Sequence, residues 1–126
     1  MPPGSGPGRK RGRLSRSGDF DRVYREGRSH GNRHFVIYAF PRPPDDAGDE
    51  VRLGVSVSRK VGGAVERNAV KRAVKEAFWG LEPPDHHDFV IVARPDAAGL
   101  VERDGTPGVA SALEELLADD SAGEAA

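Results

Sequence analysis

The sequence predicts an α+β domain, a small mixed sheet carrying helices in the order α-β-β-α-β-α. Three observations carry that prediction. Apolar residues recur at helical spacing in three segments, they alternate or run continuously at strand length in three others, and Gly- or Pro-rich junctions separate them. A chain of 126 residues supports one domain with a single modest core.

Residues 1–14 read as a disordered basic tail, Pro and Gly first and then Arg9-Lys10-Arg11-Gly12-Arg13, with little apolar surface to offset the entropy of ordering. The folded unit is expected over residues 15–118. Its first helix has Ser17 as cap, Asp19 and Asp21 near its positive end and Gly27 as its stop, with Phe20, Val23 and Tyr24 forming one stripe. Residues 34–40 form a strand, with Phe35, Ile37 and Ala39 on one face and Val36, Tyr38 and Phe40 on the other. Residues 41–49 form a Pro-rich loop, and residues 51–58 alternate again. There Val51, Leu53, Val55 and Val57 face a core, whereas Arg52, Gly54, Ser56 and Ser58 make a polar, sterically low face on which another chain could lie. An antiparallel hairpin between these two strands is expected.

The longest helix covers residues 64–79, with Val70, Val74, Ala77, Phe78 and Leu81 on its inward side, and Pro83-Pro84 stops it. A third strand spans 88–93. A last helix starts with Thr106 as cap and Pro107 in first position, buries Val109, Ala112, Leu113, Leu116 and Leu117, and gives way to an acidic tail at 119–126.

The net charge of −1 hides an asymmetry. Residues 1–34 carry nine Arg/Lys against three acids and residues 52–80 seven against two, whereas residues 81–126 carry two against eleven. Clustered cations mark a polyanion partner, because neutralising phosphates releases condensed counterions. With no cysteine, neither a disulfide framework nor a thiolate metal site is possible. The longest apolar runs are far short of the roughly 20 residues that span a bilayer. The start lacks the apolar stretch of a signal peptide, so a soluble cytoplasmic protein is expected, with no membrane partner.

The most informative segment is 57–78. Arg67, Lys71 and Lys75 stand at i, i+4 and i+8 with Asn68 and Arg72 beside them, a row of cations able to meet successive phosphates. Asn68 can donate to and accept from a 2′-hydroxyl or a base edge. Arg59, Lys60, Gly62 and Gly63 form a basic, flexible junction before the helix start, where free amide groups favour an anion. A merely solvated helix side would interleave more Glu than the two acids found in 52–80. No convincing catalytic set appears. Asp85-His86-His87-Asp88 is the one tempting cluster and reads as a polar loop, and His30 and His34 lack a carboxylate neighbour in sequence.

The segment Ser58-Arg59-Lys60-Val61-Gly62-Gly63-Ala64-Val65-Glu66-Arg67-Asn68-Ala69-Val70-Lys71-Arg72 resembles the signature of the bacterial ribonuclease P protein family, in which a basic Lys-Val-Gly-Asn-Ala-Val stretch leads into Arg-Asn-x-x-Lys-Arg. Residues 14–27 are similar to the family's first helix, 32–38 to its first strand and 88–95 to its third, in the same order along about four-fifths of the chain. The resemblance implies a ribosomal protein S5 domain 2-like fold with a left-handed βαβ crossover, against the usual hand. It implies binding of ribonuclease P RNA, one protein per RNA, through the signature helix and loop. It further implies a cleft for the 5′ leader of precursor tRNA, lined here by Phe20, Tyr24, Tyr38, Ser56 and Ser58. Ordinary core packing remains a partial alternative for Phe20. The implied reaction is endonucleolytic removal of the leader, with Mg²⁺ bound mainly by the RNA and no catalytic or metal-ligating side chain in the protein.

Three departures from the family pattern stand out. Gly63 replaces the usual Asn, Ala69 and Ala73 stand where arginines are common, and residues 81–126 carry net −9. The rival reading is a general RNA-binding or ribosome-associated α+β domain. A helix-turn-helix DNA binder fits less well because strands flank the basic helix. A self-sufficient nuclease lacks a carboxylate pair near the basic face.

Overall fold

A computed structural model describes residues 11–14, 17–42, 51–84 and 86–125 of the chain. The expectations for residues 1–10, for most of the Pro-rich loop, for the Ser17 side chain and for Asp85 lie outside the described residues. Eight elements follow in order: β1 (Arg11–Arg13), α1 (Ser17–Glu26), β2 (Arg28–Gly31), β3 (Phe35–Pro41), β4 (Val51–Val57), α2 (Ala64–Gly80), β5 (His87–Ala93) and α3 (Ala97–Ala125). They form one five-stranded mixed sheet in the order β1-β4-β5-β3-β2.

Two strands escaped the sequence reading. Residues 11–14 are not tail: β1 pairs in parallel with β4, and Leu14 behind it is buried. β2 pairs antiparallel with β3. Both strands are polar and basic and occupy the two edges of the sheet, where charged side chains discourage pairing with another molecule. The expected hairpin also gives way. β5 lies between β3 and β4, antiparallel to the first and parallel to the second. The reason is its composition: Phe89, Val90 and Ile91 are all buried, so β5 is apolar on both faces and takes the central position.

Helices cover both faces. α2 and α3 lie on the side of Phe35, Ile37, Leu53, Phe89 and Ile91, where Val70, Val74, Phe78, Leu113 and Leu116 complete the main core. α1 lies on the other side, where Val23 joins Leu14 and Val90, with Phe20, Tyr38 and Phe40 around them. α2 is the crossover between the adjacent parallel strands β4 and β5.

α3 consists of two helical stretches: one from Ala97, with Ala97 and Leu100 buried, precedes the expected helix and ends at a kink at Gly105. Gly105, at φ 64° and ψ −158°, breaks the helix immediately before Thr106 and Pro107, where the sequence places a helix start. The Thr106 hydroxyl donates to Glu76 of α2 at 3.1 Å. The acidic tail expected at 119–126 is also corrected, since the helix runs on to Ala125 and Asp120 is buried. Asp120 accepts two hydrogen bonds from Arg28 of β2, at 2.8 and 3.1 Å, and lies 3.0 Å from His30 Nε2. Pairing of this kind lets a carboxylate leave water. Among the described residues, no helix is long and apolar enough to cross a membrane.

Candidate nucleic-acid interface

The junction before α2 is a tight turn built on one anchor. Val61 is buried, while Arg59 and Lys60 on either side of the turn's start project into solvent. The Lys60 amide donates to the Ser58 hydroxyl at 3.3 Å, and the Gly63 amide donates to Glu66 Oε1 at 2.9 Å, which satisfies one free donor at the helix start. Gly62 sits at φ 156°, and a Cβ there would lie 2.9 Å from that of Glu66. Glycine is therefore required at 62 by conformation and space together.

From this junction α2 presents Asn68, Lys71, Arg72 and Lys75 as exposed side chains, with Arg67 partly covered. Its opposite side, Val70, Ala73, Val74, Ala77 and Phe78, is buried, so packing fixes the direction in which the cations point. All nine residues expected to bind RNA thus lie on one helix and the loop that feeds it.

The aromatic group assembles on the other face of the sheet. Tyr24 of α1 meets Tyr38 of β3 edge to face, with ring centroids 4.8 Å apart, and Phe20 lies 6.3 Å from Tyr24. Ser56 of β4 hydrogen-bonds to the Tyr24 side chain. Burial raises the Tyr24 pKa above the ordinary phenol value; the Ser56 hydrogen bond opposes this, and Tyr38 and Asp21 add to it. The phenol therefore stays neutral at physiological pH. Tyr24 is one of only two large apolar-bodied side chains strongly exposed among the described residues, at 39%.

Phe20 plays a double part. Its ring lies over Gly54, where a Cβ would fall 2.6 Å from Cζ, so the low face of β4 is occupied at that point. The same ring lines a small concavity of about 210 Å³ with Arg13, Leu14, Lys71 and Lys75. The cationic edge of α2 and the aromatic side of α1 therefore meet around β1. Ser58 is not in the aromatic group: it lies beyond the end of β4, exposed, and shapes the junction turn.

The tempting cluster at 85–88 has another role. His87 and Asp88 are the first residues of β5, both buried, and the His87 ring stacks on Phe89 at 5.4 Å. Asp88 accepts from Arg42 at 2.7 Å, from Arg52 at 2.8 and 2.7 Å, and from Arg22 at 3.2 Å. Burial pushes its carboxyl pKa up, but the hydrogen bonds from Arg52 and Arg42 outweigh that and hold it below the usual carboxylate range. This network ties α1, β4, β5 and the residue that follows β3 together. Nothing short-range in sequence announces it, since its partners lie 36 to 66 positions away.

Comparisons with known proteins return a single family. The ribonuclease P family matches residues 9–117. The chain is similar to the ribonuclease P protein component of Bacillus pumilus, 40% identical over 94 residues, 73% of this chain and 76% of the relative. It is likewise similar to that of Shouchella clausii, 39% identical over 112 residues, 86% and 85% of the two chains. Among solved structures, the Staphylococcus aureus ribonuclease P protein superposes with a TM-score of 0.72 at 35% identity, covering 86% of this chain and 94% of that one. The Thermotoga maritima ribonuclease P protein gives 0.71 at 34% identity, over 83% and 94%.

Proposed function

The chain belongs to the ribonuclease P protein family, and we propose that it acts as the protein subunit that grips the catalytic RNA and the 5′ leader of precursor tRNA at once. The RNA lies along Arg59, Lys60, Gly62, Gly63, Arg67, Asn68, Lys71, Arg72 and Lys75. The leader lies against Tyr24, Tyr38 and the exposed side of Phe20, with Ser56 supporting Tyr24. The single observation that carries this reading is the meeting of the two surfaces around β1, where Phe20, Lys71 and Lys75 share one concavity. A strand leaving the α2 edge can continue onto the aromatic face by way of this concavity.

The protein's share of the reaction is positioning. Side chains that stack on successive bases bind single strands with little sequence preference, because every base has a π face. Lysine and arginine on the helix edge add the phosphate contacts that fix register. When bound, Mg²⁺ supplies charge neutralisation at the scissile phosphate. Among the described residues, no three His, Asp or Glu side chains gather where they could hold such an ion, and Asp88 is already engaged by arginines. The described residues offer no set that would hold a resident Mg²⁺, and in this reading the ion is assigned mainly to the RNA.

Reconstitution tests the reading. With ribonuclease P RNA at low Mg²⁺, the protein should stimulate cleavage of a precursor with a full leader far more than it aids binding of a leaderless one. Equal effects on both substrates would favour a general RNA-binding domain.

A further inference from the structure

The cationic row of α2 ends beside the chain's one tryptophan. Trp79 packs against the rim of the main core and meets Phe78 edge to face at 5.1 Å, yet it is only half-buried. The remainder of the indole borders an open groove of about 500 Å³, whose other lining residues are Arg72, Lys75, Glu76 and Gly80. Arg72 and Lys75 precede Trp79 by seven and four positions, so helical periodicity sets all three on one face. Gly80 adds no side chain beside the ring, and a Cβ there would meet nothing within 4 Å. Glu76, the acidic member of the lining, accepts a hydrogen bond from Thr106 of α3.

A flat indole at the end of a row of two cations suits an occupant with both a π face and a negative charge. The groove's volume falls in the range of sites that hold small ligands, and one nucleotide is of that size. Paired bases hide their faces within the stack, so the occupant is an unpaired nucleotide. We propose that Trp79 is a stacking platform for one unpaired nucleotide of the partner RNA, with Arg72 and Lys75 on its flanking phosphates. This rests on the reading of α2 as the RNA-binding edge and extends that edge to the C-terminal end of the helix, beyond the arginine, asparagine and lysine row.

A single tryptophan makes the site directly observable. The full chain is titrated with a Bacillus-type ribonuclease P RNA while indole emission and its quenching by acrylamide are followed, and binding is measured separately by filter retention. Emission should fall, and acrylamide should lose access, along the same curve as retention. Trp79→Leu should weaken retention on the order of tenfold, and Trp79→Phe, which keeps a smaller ring, should weaken it less. Saturating retention with unchanged emission and unchanged acrylamide access overturns the proposal. So does a Trp79→Leu protein that melts like the parent and binds RNA equally well. If the Leu variant does not fold, the emission titration of the unaltered chain decides alone. Absence of any retention overturns the RNA-binding reading of α2 itself.

Discussion

Arg52 grips Asp88 with two hydrogen bonds, Nε to Oδ1 at 2.8 Å and Nη2 to Oδ2 at 2.7 Å, and the carboxylate is wholly withdrawn from solvent. Arg42, almost fully buried, approaches the same carboxylate from the end of β3 at 2.7 Å, and Arg22 from α1 at 3.2 Å. Removing that one negative charge leaves several guanidinium groups facing each other. Asp88→Asn should therefore cost about 3 kcal/mol, the low end for breaking a buried pair, because Arg22 and Arg52 keep partial access to water. Urea denaturation measures it, and a loss below about 1 kcal/mol would contradict the assigned role.

Acid sensitivity follows from the same group and from Asp120. Burial raises both carboxyl pKa values, but hydrogen bonds from Arg52 and Arg42 in one case, and from Arg28 and His30 in the other, lower them by more. A folded-state pKa below the unfolded value gives stability that is complete above the unfolded pKa, about 3.9, and is lost as pH falls through the folded one. Stability should be insensitive to these two groups near neutrality and fall steeply below roughly pH 4. Denaturation curves of the parent and of Asp88→Asn/Asp120→Asn across that range check this. An equally steep acid slope in the double variant would show that other groups are responsible.

The α2 edge should reveal itself through salt. Arg67→Ala with Lys71→Ala removes two cations of α2 that are not among its buried residues. RNA affinity should drop, and the slope of log affinity against log salt should flatten by about 1.5, from roughly 0.7–0.9 per phosphate contact. Binding isotherms at several salt concentrations decide, and an unchanged slope would mean that these side chains meet no phosphate.

On the aromatic side, Tyr24→Ala should weaken leader-bearing substrate by ~1–3 kcal/mol and leave leaderless substrate unaffected. Tyr24→Phe keeps the ring and removes the hydroxyl that hydrogen-bonds with Ser56. It should retain most of the affinity, which separates stacking from hydrogen bonding. Competition binding with the two substrates gives the numbers; a loss of similar size for both would place Tyr24 outside the leader path.

Gly54→Val probes how Phe20 is seated. The introduced side chain meets Phe20 Cζ and Cε1 inside van der Waals contact and must displace the ring. Destabilisation of about 1–3 kcal/mol is expected, together with weaker binding of leader-bearing precursor. Thermal melts and substrate titration test the two effects separately. Unaltered leader affinity would assign Phe20 to core packing alone.

The parts of this fold that follow a local rule were legible in the sequence. α1, α2, β3, β4 and β5 announce themselves by apolar periodicity, and the α2 cations by their four-residue spacing. What depends on distant partners was not legible. Arg11–Arg13 and Arg28–Gly31 carry no apolar alternation, and they are strands because the sheet edges accept them. β3 and β4 are neighbours in sequence, yet β5 separates them, the strand of the three that is buried on both faces. His30 and Asp120 meet across 90 positions, and the Asp88 network joins α1, β4 and β5 with the residue that follows β3. The assignment of tRNA 5′ processing came from the ordered family resemblance, whereas chemistry alone gave only an RNA-binding edge.

The central claim is that one small domain grips two RNAs, with the leader held on its aromatic face. The most direct measurement compares the affinity of the reconstituted RNA–protein complex for precursor tRNA with and without its 5′ leader, using the parent protein and Tyr24→Ala. A preference for the leader-bearing substrate that requires the protein and shrinks in Tyr24→Ala is the predicted result. Equal affinity for both substrates, or a preference already complete with the RNA alone, would contradict it.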